Sequence, residues 1–346
     1  MSRFMSRLFL FLALIGFAAA AFAQQGLTGA GATFPYPLYS KMFDVYSKEY
    51  GVEVNYQPIG SGGGIRQLIN KTVDFGGSDA VMSEEDMKAA KAPVLHIPVC
   101  AGAVVITYSL PGNPEIKLTP GLVADIFLGR VMRWNDPRIV AANQGVAIPD
   151  LPLEVVHRSD GSGTTLILSG YLSRMSKEWQ DKVGRGTALN WPTGLGSKGN
   201  PGVAGLVKQT PGSIGYVELI YALQNKMPCA SIKNKKGNFV RPSIASTSAA
   251  MNINLPADMM VSLIDTDAPQ GYPLTGFTWV LVYKEQSYGG RSEARAKELV
   301  RLLRWMTHEG QKYAQPMQYA SLSGTAVTRA DALIRSVTYN AAPLMK

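Results

Sequence analysis

Leu153-Glu154-Val155-Val156-His157 runs into Arg158-Ser159-Asp160-Gly161-Ser162-Gly163-Thr164-Thr165, and that runs into Leu166-Ile167-Leu168-Ser169-Gly170-Tyr171-Leu172-Ser173-Arg174. The first five residues are apolar and β-branched enough to read as a strand. The last nine read as a helix. Between them lies a loop of Gly, Ser and Thr that opens the helix. Repeated strand–loop–helix units build α/β domains, and in such sheets ligands sit beyond the carboxyl ends of the strands.

The same unit recurs upstream. Residues 26–32 lead through Thr33-Phe34-Pro35 into a stretch where Leu38, Met42, Phe43 and Tyr46 recur at helical spacing. Val52, Val54 and Tyr56 alternate as in a strand, followed by Gly60-Ser61-Gly62-Gly63-Gly64 and a helix marked by Ile65, Leu68, Ile69 and Val73. Residues 75–80 read as a short strand, and Ser83 with Glu84, Glu85 and Asp86 as a capped helix start. The apolar run 96–110 is too β-rich for a helix and is expected to be a strand crossing between two lobes. Leu122, Ile126 and Phe127 predict a helix ending at Gly129. Residues 277–283 predict a second strong strand, and Leu299, Leu302, Leu303 and Met306 a final helix. No repeat, low-complexity segment or linker interrupts the chain, which suits domains joined by crossing strands.

The first 23 residues have a basic start at Arg3 and Arg7, an apolar run over 8–21, and Ala21-Phe22-Ala23 as a small-x-small cleavage site. They read as a secretory leader cleaved near Ala23, so the mature chain is expected outside the cytoplasm. No Cys stands at the cleavage site to take a lipid anchor. The remaining 323 residues exceed the length of about 250–300 at which one core usually divides. The net charge of +9 falls to +7 without Arg3 and Arg7. That balance suits a small anion; with the basic residues scattered, and Lys233, Lys235 and Lys236 in a turn-like stretch, it does not suit nucleic acid. Cys100 and Cys229 are equally consistent with a disulfide and with two free thiols.

Three loops share one design: Gly31-Ala32-Thr33-Phe34, Gly60 to Gly64, and Asp160 to Thr164. Each follows a strand and opens a helix. A helix start offers unpaired N–H groups and partial positive charge, Gly allows close approach, and Ser and Thr add hydroxyl donors. Three of them would surround a small tetrahedral oxyanion. Arg158 adds a forked donor, and Asp160, two residues on, shares its side of an extended segment and is placed to hold it. Asp79 is the odd member, because a carboxylate repels an anion. It makes sense if the ligand carries a proton, as phosphate does and sulfate does not; as an alternative it caps a turn.

Other motifs fail. Gly194-Leu195-Gly196-Ser197-Lys198-Gly199 fits the dinucleotide pattern, but no clear strand precedes it. There is no Gly-Lys pair for a phosphate-binding P-loop and no Gly-x-Ser-x-Gly elbow. His96, His157 and His308 join no metal spacing with the cysteines, so neither metal nor cofactor is expected. Ser162 with His157 as base lacks an identifiable third member.

Over nearly its whole mature length the chain resembles the periplasmic phosphate-binding proteins of the phosphate-specific ABC transporter. The matching segments are Leu27-Thr28-Gly29-Ala30-Gly31-Ala32-Thr33-Phe34-Pro35, Val54-Asn55-Tyr56-Gln57 with Ile59-Gly60-Ser61, and Thr72-Val73-Asp74-Phe75-Gly76 with Ser78-Asp79-Ala80. Further on are Arg158 with Asp160-Gly161-Ser162-Gly163-Thr164, Trp191-Pro192 with Gly194-Leu195-Gly196, and Gly215-Tyr216-Val217-Glu218. The resemblance implies a type II periplasmic-binding-protein fold, with two α/β lobes, each a mixed sheet flanked by helices, joined by two crossing strands. Lobe I would comprise 24–103 and 278–346, lobe II 104–277, with crossings near Val104 and Phe277. It implies a monomeric, non-catalytic receptor that binds inorganic phosphate between the lobes and docks on a membrane permease. The implied phosphate shell is Thr33, Phe34, Ser61, Asp79, Arg158, Ser162, Gly163 and Thr164, with Asp160 behind Arg158. Phe34 enters through the family alone. Gly62 departs from relatives that often carry a second Ser there. The competing readings are a phosphatase using the same pocket, a receptor for another oxyanion, and a secreted surface protein.

Overall fold

A computed structural model describes residues 26–345; the expected leader, 1–23, lies outside the described residues. The architecture is built on one long strand, β4 (Val94–Tyr108). Every residue of β4 except Leu95 is buried, which is why its sequence is a nearly unbroken apolar run without alternation. As far as Ala103 it pairs antiparallel with β11 (Thr275–Tyr283); from Val104 it pairs antiparallel with β8 (Ser213–Glu218). One strand thus belongs to two sheets.

In the first sheet, β1 (Leu27–Gly31) lies between and parallel to β2 (Val54–Pro58) and β3 (Phe75–Ser78), and β11 joins β3 to β4. In the second, β8 lies between β4 and β6 (Glu154–Arg158), with β7 (Leu195–Ser197) at the edge and both β6 pairings parallel. Each sheet is mixed, with the parallel strands delivering their loops to one end. A small third sheet of β5 (Lys117–Leu118), β9 (Ser231–Lys233) and β10 (Phe239–Val240) flanks them. Pro98 sits inside β4, where a residue without an N–H breaks a ladder. The register accordingly slips there: Thr278 faces Cys100 while Trp279 faces Pro98, so a bulge absorbs the missing donor.

The helices follow the apolar spacing. Tyr36–Tyr50 buries Leu38, Tyr39, Met42, Phe43 and Tyr46. Ser83 and Asp86 form a reciprocal capping box at the next helix start. Val73, expected in the second helix, lies beyond it: Ser61–Ile69 ends at Asn70, and Lys71 turns the chain with φ +57°. Ala80, expected in β3, lies outside it because the Ser78 hydroxyl donates to the Ala80 carbonyl at 2.7 Å and accepts its N–H at 3.0 Å. That tight turn leaves Asp79 at the strand's tip. The helix Glu293–Thr307 does not close the chain, since Gly324–Arg335 follows it and buries Ala326, Ala330 and Ile334.

Cys100 and Cys229 are free. Cys229 bridges Thr107, seven residues along β4 from Cys100, a separation of about 23 Å at a rise of about 3.3 Å per residue, against the 7 Å or so that a disulfide spans. No helix among the described residues is long and apolar enough to cross a membrane.

Gly64 sets how closely the helix Ser61–Ile69 packs on β1. A Cβ there would lie 2.5 Å from both the Ala30 carbonyl oxygen and the Gly31 Cα, and backbone atoms cannot rotate away. Gly64→Ala is expected to destabilise the fold by about 1–3 kcal/mol, measured as a lowered urea midpoint at unchanged slope.

Candidate functional site

The carboxyl ends of β1, β2 and β3 deliver Thr33, Ser61 and Asp79; the end of β6 delivers Arg158 and the loop to Thr164. The two sets meet. Ser61 Oγ accepts the N–H of Gly163 at 3.1 Å and that of Asp79 at 3.3 Å. Gly62 donates its N–H to the Gly161 carbonyl at 3.0 Å. A Cβ on Gly163 would lie 2.4 Å from the Asp79 carboxylate, so Gly alone lets these two loops touch. Tyr221 closes the same seam by donating its hydroxyl to the Thr33 carbonyl at 2.5 Å.

Arg158 is the buried cation of the cleft, its side chain only 1% exposed. Its Nε and Nη2 fork onto Asp160 at 2.7 and 2.6 Å, and Nη1 donates to Thr164 Oγ1 at 3.3 Å. Burial pushes the Asp160 carboxyl up, but the Arg158 hydrogen bonds and charge, with the Gly199 N–H at 3.0 Å, outweigh it and leave the group below the ordinary carboxylate range. The pair is therefore ionised, fixed and shielded, unlike a surface ion pair.

Asp79 is different. It is buried, and its Oδ1 has no hydrogen-bond partner. Burial pushes its pKa up to about 7, against the opposing pull of the Arg158 charge and the Ser61 hydrogen bond. Ser162 N-caps the helix Gly163–Met175, its Oγ accepting the Thr165 N–H at 3.0 Å. The Phe34 ring is buried, and its carbonyl accepts the Tyr319 hydroxyl at 2.6 Å. His157 stacks on Trp191, with centroids 4.7 Å apart, and its Nδ1 lies 3.1 Å from the Arg158 carbonyl; among the described residues no hydrogen bond joins it to Ser162.

A cavity of about 270 Å³ opens beside Asp79, lined by Leu166, Ile167, Arg185, Val261 and Phe277 among others. A larger one, about 720 Å³, lies around Asp74, Arg291 and Arg295 at the opposite end of β1 and β3, away from the converging loops. The arrangement at the cleft is that of an anion site: fixed donors, a paired buried guanidinium, and one unmet acceptor.

A model of the PBP superfamily domain matches residues 18–309. The chain is 42% identical to the phosphate-binding protein PstS of Pasteurella multocida over 89% of each chain. It is 38% identical to the PstS of Methanocaldococcus jannaschii over 82% of this chain and 78% of that one. The chain belongs to the PstS phosphate-binding family. Its fold is shared by solved structures of low identity. A phosphate-bound periplasmic phosphate-binding protein, PfluDING, superposes with a TM-score of 0.72 at 20% identity, over 89% of this chain and 93% of that one. A phosphate-binding protein from Stenotrophomonas maltophilia gives 0.67 at 16% identity, over 90% and 93%.

In this PstS-family chain the residues anticipated from sequence lie in one cleft. Two that sequence reasoning passed over also belong to it. Asn200, fully buried, donates its N–H and its amide Nδ2 to Thr33 Oγ1 at 3.1 and 2.9 Å, and Nδ2 to Thr164 Oγ1 at 3.2 Å. Tyr221 is the second. The available signal for Asn200 was the glycine pattern ending at Gly199, set aside as a dinucleotide motif; it marks a fourth helix start, Gly199–Gln209, aimed at the cleft.

An acid whose pKa is higher folded than unfolded takes up protons on folding between the two values, so stability falls as pH rises through that window. For Asp79 the window runs from the ordinary carboxylate value of 3.8 to about 7. Ligand-free Asp79→Asn is therefore expected to melt above the parent at pH 8, with the advantage vanishing near pH 4. A pH-independent difference between the two melting curves would show that Asp79 does not titrate in this way.

Proposed function

We propose that this chain is an extracytoplasmic receptor that binds inorganic phosphate between its two lobes and delivers it to the permease of an ABC-type importer. The observation that carries the reading is the Asp79 carboxylate oxygen, buried without a partner among groups that donate. Phosphate at neutral pH brings both the oxygens those donors need and a proton for that acceptor. Sulfate brings no proton, and a site built around a ligand's donor rejects an analogue lacking it by roughly 10⁴–10⁵. The relatives named phosphate-binding protein PstS support the same ligand.

The proposed shell is Thr33, Phe34, Ser61 and Asp79 from one lobe and Arg158, Ser162, Gly163 and Thr164 from the other, with Asp160 holding Arg158. The proposed division is 24–103 with 278–346 against 104–277, supported by the change of partner along β4 between Ala103 and Val104. Binding would close the lobes and present the closed form, as a monomer in the periplasm, to the permease. A receptor is favoured over a phosphatase because His157 is engaged with Trp191 and does not serve Ser162 as a base.

The test is calorimetric titration of the mature protein with phosphate and sulfate after bound ligand is stripped by unfolding and refolding. One-to-one phosphate binding without a sulfate response is expected. Arg158→Ala should weaken it by at least about tenfold, since it removes charged hydrogen bonds worth about 1.5–3 kcal/mol and strands Asp160. Equal binding of both anions would remove the role given to Asp79. No binding of either by a folded, ligand-free chain would sink the receptor reading.

A further inference from the structure

Asn200 contacts no group that distinguishes phosphate by itself, yet it touches both threonine hydroxyls of the cleft. A hydroxyl has two acceptor lone pairs and one hydrogen to donate. Thr33 Oγ1 receives the Asn200 N–H at 3.1 Å and Nδ2 at 2.9 Å. Thr164 Oγ1 receives Asn200 Nδ2 at 3.2 Å and Arg158 Nη1 at 3.3 Å. Both lone pairs of each oxygen are thereby filled, and each hydroxyl is left able only to donate. The amide cannot turn over to reverse this. Its Oδ1 accepts the Glu218 N–H at 2.8 Å, which assigns the nitrogen to the side facing the threonines.

We propose that Asn200 is a specificity-determining positioning residue that locks the hydroxyls of Thr33 and Thr164 as donors to the bound anion. The inference rests on the phosphate-receptor reading and deepens it. Two hydroxyls that can only donate must face bare oxygens of the ligand. The ligand's proton is then refused at those positions and directed to the Asp79 Oδ1, a buried acceptor without a partner. Asn200 also ties the loop after β1 to the start of the helix Gly199–Gln209, so the orientation is set only when the two lobes are closed. Without the Asn200 amide each threonine hydroxyl regains a free lone pair, rotates, and is as ready to accept as to donate.

The test is a double-mutant cycle read by phosphate calorimetry on the stripped mature protein, with thermal melting to confirm folding. Asn200→Ala is expected to weaken phosphate binding by about ten- to a hundredfold, the range for loss of one or two buried hydrogen bonds. Thr33→Val with Thr164→Val should weaken it similarly. In that double-valine background Asn200→Ala should cost little more, because the hydroxyls it orients are gone. A merely structural role would multiply the losses instead, and that result overturns the proposal. So does an Asn200→Ala protein that binds as tightly as the parent, or a double-valine protein that does. Should Asn200→Ala fail to fold, Asn200→Ser, which retains an acceptor for the Glu218 N–H, takes its place in the cycle. A parent that fails to bind phosphate defeats the receptor reading itself, whereas a parent that binds with no coupling in the cycle defeats this inference alone.

Discussion

A cation buried at the 1% level must be compensated, and around Arg158 the whole cleft is arranged to do so. Asp160 takes two of its nitrogens, and Thr164 takes the third. Asp160 is in turn held by the N–H of Gly199, which fixes where the helix Gly199–Gln209 begins and hence where Asn200 stands. Arg158 lies at the end of β6, whose register is fixed between β7 and β8. The charge pair thus links the second sheet to the loops beyond it. The guanidinium is thereby oriented by its partner and not free to search, so in the proposed anion site it would lose little rotamer freedom on binding.

Close approach of the two lobes is the second constraint, and glycine is the means. Gly60, at φ +88°, would place a Cβ 2.4 Å from an Asp160 oxygen and 2.6 Å from the Gly161 carbonyl. Gly62 and Gly161 face each other so that a Cβ on either would meet the other's Cα at 3.2 Å. A serine at 62 would need that seam to open by a few tenths of an ångström. The glycine-rich loops are therefore contact surfaces between the lobes.

Legibility in the sequence followed the range of the interactions involved. Helix starts, capping residues and the β4 run were readable because they depend on neighbours a few residues away. So was the Arg158–Asp160 pair, two residues apart on one strand end. Asn200 was not, because its partners Thr33 and Thr164 lie 167 and 36 residues away and no local pattern connects them. Asp79 was read as suspect from its charge alone, while a turn cap remained an alternative. The structure gives that turn to Ser78 instead, whose hydroxyl makes both bonds to Ala80. The helix Gly324–Arg335 escaped notice because its buried face is largely alanine, which marks a helix by propensity but scarcely by hydrophobic period.

Continuity of β4 bears on how such a cleft opens. Hydrogen bonds across the seam join Ser61 to Gly163, Gly62 to Gly161, Asn200 to Thr33 and Tyr221 to Thr33. All lie at the loop ends of the strands, far from the ladders that hold each sheet. Separating the lobes breaks these and leaves the ladders intact. β4 exchanges β11 for β8 at Ala103 and Val104, where the Val104 N–H is held by the Leu274 carbonyl at 2.7 Å. With no ligand the seam contacts replace bonds to water at little net gain, about 0.5–1.5 kcal/mol each. An anion meeting donors from both sides adds interactions that exist only in the closed form. A ligand shifts such an equilibrium only by its preference for one state, and a site divided between two lobes supplies that preference by construction.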